Sequence, residues 1–162
     1  MKDKFPITKT LNIVSAVLFL LSLGSLFLPI LKVSTATNES IRFFGWTVLF
    51  GGTVEATTES GIYSFSFGVN IGLLITMQGL LLSAAACFLC GRSKVNRVFA
   101  AVLSLASLVA LFFTRNFVAM SSAVAPTGLA FAFGWWMAVG FAGIGIYAEG
   151  MAIFSLSVKE RR

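Results

Sequence analysis

Four long apolar runs decide what this chain can fold into. They lie at about residues 11–31, 67–90, 98–113 and 129–154. A bilayer core about 30 Å thick takes about 20 helical residues to cross. The polar remainder is too small to hide these runs from water, because 57% of the chain is hydrophobic and only 11% is charged. Within lipid, backbone polar groups must pair inside their own segment, so each run is expected to be a helix. The expected fold is an all-α transmembrane four-helix bundle, forming a single integral membrane domain over residues 1–162.

The first run is preceded by Lys2, Lys4 and Lys9, as a secretory signal would be. It is longer than the apolar core of about 7–15 residues that such signals carry, and it reads as a span. The twelve basic residues together then become a topology signal. Lys2, Lys4, Lys9, Arg92, Lys94, Arg97, Lys159, Arg161 and Arg162 fall at one end of the runs, whereas Lys32, Arg42 and Arg115 fall at the other. By the positive-inside rule both termini and the 91–97 connection are cytoplasmic. Trp135 and Trp136 fall at the outer end of the fourth run, where an aromatic belt would sit. The net charge of +6 is thereby explained without nucleic acid, and the bilayer is the expected partner of the apolar surface. Small size and outer loops without cysteine point to the plasma membrane of a bacterium, its inner membrane.

Two segments lie outside. Residues 114–128 read as a short loop containing Pro126 and Gly128. Residues 32–66 form a long loop with strand character. Its stretch 41–50, IRFFGWTVLF, is rich in aromatic and β-branched residues. Gly51-Gly52 is a turn signal, and in 61–68 Tyr63, Phe65 and Phe67 alternate with Ser64 and Ser66 at period two. A small antiparallel β element, a β-hairpin of two or three strands, is predicted in this extracytoplasmic loop. Arg42, Phe43, Phe44 and Trp46 combine a cation with aromatic rings, the composition of interface hot spots, and are the candidate partner-binding residues.

Each run also carries a stripe of small or polar residues, which allow helices to approach closely in lipid. The second has Gly68, Gly72, Gly79, Ser83, Ala86 and Cys90 at near-heptad spacing. The fourth has Gly134, Ala138, Gly145 and Ala152, the third Ala100, Ser104 and Ser107, the first Asn12, Ser15 and Ser22. These stripes are expected to face one another.

Candidate chemistry is sparse. There is no histidine, so the usual general base and the commonest metal ligand are missing. No phosphate loop, hydrolase elbow or zinc-protease helix is present. No cofactor and no metal are expected. Glu149 is the one acid well inside an apolar run, and an intramembrane carboxylate calls for a partner. Lys9, Arg92 or Lys94 could supply it at the cytoplasmic interface. Asn70 and Gln78 in the second run read as interhelical hydrogen-bonding groups, or with Glu149 as the lining of a transport path. Cys87 and Cys90 have the spacing of a redox pair but end up at the reducing face, where small side chains in a packing stripe are expected.

The plan of inner termini, a long stranded first outer loop and a short second one is similar to that of claudin-like tetraspans, and Phe44-Gly45-Trp46 resembles part of their loop motif. The paired loop cysteines of that family are absent, and the likeness extends to architecture alone. The expected function is non-enzymatic: an accessory, scaffolding or regulatory membrane protein that binds another membrane protein, or itself as a homo-oligomer, through the outer loop or a small-residue helix face. The alternative is an oligomeric small-molecule or ion transporter or channel that uses Glu149.

Overall fold

The computed structural model describes residues 7–35, 39–59, 61–89, 94–122 and 128–160. Lys2, Lys4, Cys90, Arg92, Arg161 and Arg162 lie outside the described residues. Among the described residues, four helices are long and apolar enough to cross a membrane: α1 (Ile7–Ser25), α3 (Ile71–Leu89), α4 (Lys94–Phe112) and α6 (Phe133–Glu160). Each of α1 and α4 packs mainly against both α3 and α6, so the bundle is a four-membered ring. The shorter elements β1 (Pro29–Ser34), β2 (Ser40–Phe44), α2 (Gly45–Phe50), β3 (Gly52–Thr58), β4 (Gly61–Phe67), α5 (Thr114–Ser121) and β5 (Leu129–Phe131) all belong to the connections at one end of that ring.

The bundle is built with large side chains outside and small ones inside. Ile13, Leu21, Ile75, Leu82, Val102, Leu105, Ile144 and Phe154 are exposed, while Ala16, Ser22, Ser83, Ala84, Ala100, Ser104, Ala138 and Ala142 are buried. This is the arrangement lipid favours, because burying leucine from acyl chains gains little and close backbone approach gains dispersion contacts. A side chain added at Gly145 would strike the Phe19 ring, and one added at Gly79 would strike the Ser107 hydroxyl. At Gly134 it would meet the backbone oxygens of Ser25 and Pro29, both 2.8 Å away. Buried hydroxyls mostly donate to the carbonyl one turn earlier, as Ser83 does to Gly79 at 2.8 Å. Ser22 instead crosses from α1 to the Ala138 carbonyl of α6 at 2.7 Å.

Every apolar run differs at its ends from the helix inside it. The first does not continue to residue 31. Three consecutive i→i−3 turns at Leu26, Phe27 and Leu28 close α1, and Pro29 opens β1. The residue before a proline is pushed out of the helical region, and Ile30 and Val33 favour the strand that follows. The fourth run starts as strand β5 rather than helix, and the third begins a turn early, at Lys94. The second splits into the end of β4, a three-residue link and α3. The 41–50 stretch is strand only to Phe44; Gly45–Phe50 coil into α2 and bury Thr47, Val48 and Leu49. Gly45 allows the turn, because a Cβ there would collide with the Leu26 backbone. Residues 114–121, expected as loop, form helix α5.

That end of the ring carries two sheets. One has the order β2-β1-β5, antiparallel throughout, with Leu31 opposite both Phe43 and Phe131. The other is the β3–β4 hairpin, whose alternation runs as expected, with Tyr63 and Phe65 turned inward and Ser64 and Ser66 outward. Phe43 joins the two, edge-to-face with Phe65 at 5.1 Å and with Phe67 at 5.0 Å. Aromatic pairs of this geometry add about 0.5–1.5 kcal/mol beyond area burial. Trp135 is not a belt residue. It is buried, stacks on Phe131 at 3.8 Å and donates from Nε1 to the Leu111 carbonyl at 2.8 Å. Trp136 remains exposed.

Candidate functional site

Near the opposite end of the bundle, polar side chains from all four long helices converge. Glu149 of α6 is fully buried. The Cys87 thiol of α3 donates to its Oε2 across the ring at 3.4 Å, while Oε1 has no hydrogen-bond partner among the described residues. Ser15 of α1 faces the same carboxylate and donates its hydroxyl proton to the Leu11 carbonyl at 2.9 Å. Asn12, three residues earlier on the same face, is also buried. The guanidinium of Arg97, from the first turn of α4, lies within electrostatic range of both Glu149 and Cys87.

Lys9 is exposed, and Arg92 and the Lys94 side chain fall outside the described part. Among the described residues, the cation that acts on Glu149 is Arg97, which the sequence places in the 91–97 connection. Helix α4 begins early enough to bring Arg97 inside, where it is 4% exposed. A signal was present: Arg97 precedes Ala100, Ser104 and Ser107 at helical spacing and so continues the inward stripe of α4. A buried carboxylate is tolerated in lipid only when a cation or donors share its cavity, and four helices supply them here.

Glu149, Cys87 and Arg97 are all buried, with almost no surface of their own. Among the described residues, no three His, Cys, Asp or Glu side chains are grouped as metal ligands. The chemistry available to the cluster is that of a carboxylate, a thiol and a guanidinium held together: an electrostatic clamp, or a proton site closed on both sides.

The other intramembrane polar residues do not join it. Asn70 is not within α3 but just before it, as an N-terminal cap: its Oδ1 accepts from the Leu73 N–H at 3.0 Å, and its Nδ2 donates to Ser121 Oγ at 3.3 Å. Capping of the four unpaired N–H groups of a helix is the preferred use of asparagine at that position. Gln78 is exposed on the opposite side of α3 from the bundle. Of the stripe glycines, Gly68 lies in the link before α3, where its N–H donates to the Ser121 carbonyl at 2.7 Å, and Gly72 packs against the Phe117 ring of α5.

The outer-loop candidates divide by register. Phe43 points into the core and is unavailable to a partner. Arg42, Phe44 and Trp46 are exposed, and Phe50 joins them. Lys32 of β1 stands directly opposite Arg42 of β2, with Ala130 on its other side, so two cations are neighbours on the outward face of the sheet. Like charges at directly opposed positions repel. Neither makes an ion pair or a side-chain hydrogen bond among the described residues. The pairing of Lys32 with Arg42 is not visible in the sequence, because residues 29–31 look like the end of a helix and Lys32 like the first residue of the loop.

No family model, characterised protein or solved structure matches the chain.

Proposed function

We propose that the protein is a non-enzymatic accessory, scaffolding or regulatory subunit of the plasma membrane, and that its outer sheet docks a partner protein. The observation that carries this reading is the outward face of β1 and β2. It sets Lys32 beside Arg42 with no ion pair among the described residues, and leaves Phe44 and Trp46, two and four residues on from Arg42, exposed. An acidic segment bearing an apolar side chain would relieve the repulsion and cover the rings. The orientation follows from charge. With Arg97 drawn into the bundle, eight basic residues still mark the end that holds both termini, against three at the sheet end. The termini are therefore cytoplasmic and the sheets extracytoplasmic.

The test is the mass and composition of the complex extracted gently from its own membrane. The expected result is a defined stoichiometry with a second chain, lost in the variants Arg42→Glu and Trp46→Ala. A complex indifferent to both variants would exclude the outer sheet as the docking face.

A second reading, transport coupled to Glu149, is favoured by one observation, the buried Oε1 with no hydrogen-bond partner among the described residues. It requires flux through reconstituted vesicles that Glu149→Gln abolishes. Flux equal to that of empty vesicles across ion and pH gradients would eliminate it.

A further inference from the structure

The inward stripe of α3 leaves a second seam on the outside of the same helix. Ile71, Ile75, Gln78, Leu82, Ala85 and Leu89 are spaced 4, 3, 4, 3 and 4 residues apart, a heptad pattern. All are exposed or half-exposed, and Leu89 is 82% so. Five are apolar and need no partner in lipid. Gln78 does. It lies seven residues into α3, about 10 Å along the axis at about 1.5 Å per residue, and a glutamine side chain does not span that distance to the interface. No other described residue hydrogen-bonds to it. A carboxamide left bare in hydrocarbon is unsatisfied in both its donors and its acceptor.

We propose that the chain forms a parallel homodimer through the outward seam of α3, in which Gln78 pairs with the same residue of a second copy. Three arguments favour a second copy over another chain. An amide is its own complement, since each oxygen accepts from the other's N–H across a two-fold axis. The bias of basic residues toward one end of the bundle gives all copies one orientation, so the two glutamines meet at the same depth. Helix α3 contains no charged residue, so parallel seams meet without like-charge repulsion. One polar residue amid an apolar heptad seam is also the arrangement that specifies register and strand number in coiled coils. The inference is independent of the outer-sheet reading, because it uses a different face of the molecule.

The test is the oligomeric state in nanodiscs together with cysteine crosslinking in native membranes. In a Cys90→Ala background, Ile75→Cys and Leu82→Cys are expected to crosslink to a second copy, and Val102→Cys on the exposed face of α4 is not. Gln78→Leu should weaken dimerisation roughly 3- to 30-fold, the effect of losing interhelical hydrogen bonds of ordinary strength, and Gln78→Asn should restore most of it. Because Gln78 faces away from the bundle, the fold of each variant is checked by the fluorescence of buried Trp135, which should not move. A monomeric wild-type protein, dimers unaffected by Gln78→Leu, or crosslinks from positions 75 and 82 to a different chain only would each overturn the proposal.

Discussion

Glu149 and Arg97 illustrate how one residue's position depends on another far away in sequence. A charged side chain at a helix centre costs at least about 2.5–3.5 kcal/mol in lipid. The cost falls when a counter-charge shares the cavity, and removing one member leaves the other bare. Arg97→Leu and Glu149→Ala should therefore each destabilise the bundle by about 3–5 kcal/mol, read from unfolding in mixed micelles. The double variant should lose clearly less than the sum of the two. Additive losses would mean that the two side chains do not sense each other. Glu149 was legible from sequence as an oddity, a lone acid in an apolar run. Its partner was not, because a basic residue at the end of a run looks the same whether it faces water or turns inward. Trp135 teaches a related lesson. Its place at a helix end suggested a belt, but the neighbouring Trp136 takes the exposed position while Trp135 fills the core. Trp135→Phe should remove the blue-shifted part of the tryptophan emission. It should also cost about 1–3 kcal/mol, because the Leu111 carbonyl loses its donor.

At the scale of elements, the four spans were readable because hydrophobic length is a property of each segment alone. Their ends were not, because ends are settled by what the flanking residues can pair with. Pro29, Ile30 and Val33 are as apolar as the helix before them, and only a waiting β2 and β5 make them a strand. The β3–β4 hairpin was legible from its period-two alternation, whereas α2 was hidden behind strand-like composition and depends on Gly45 fitting against the Leu26 backbone. The glycines permit a sharp comparison. Gly134→Ala sets a methyl group against two backbone oxygens that have no rotamer to escape by, and should cost about 1–3 kcal/mol. Gly140→Ala, on the same helix with nothing within 4 Å, should be neutral or stabilise by up to about 1 kcal/mol. Equal melting temperatures for the two variants would count against the close packing of α6 on the α1–β1 turn.

For the whole molecule, the charge asymmetry and the position of the sheets make one joint prediction about orientation. A cysteine placed at Thr57 in the hairpin should react with a membrane-impermeant maleimide added to intact cells. One placed at Lys159 should react only after the membrane is opened. The reverse pattern would invert the orientation and move the Lys32–Arg42 face to the cytoplasm. The sheet itself has a consequence for how the protein is made. Its central strand, β1, is synthesised early, but β5, one of its two neighbours, follows α4 and α5. Until residue 131 has left the ribosome and the last hairpin of helices has formed, β1 keeps an open edge. Such an edge is a template for pairing with the wrong chain, and long-range strand pairing is slow to close. Nascent chains halted after α4 should therefore be the species that aggregates and needs escort. Completion of the protein should register as a late step, when its last quarter closes a sheet that its first quarter began.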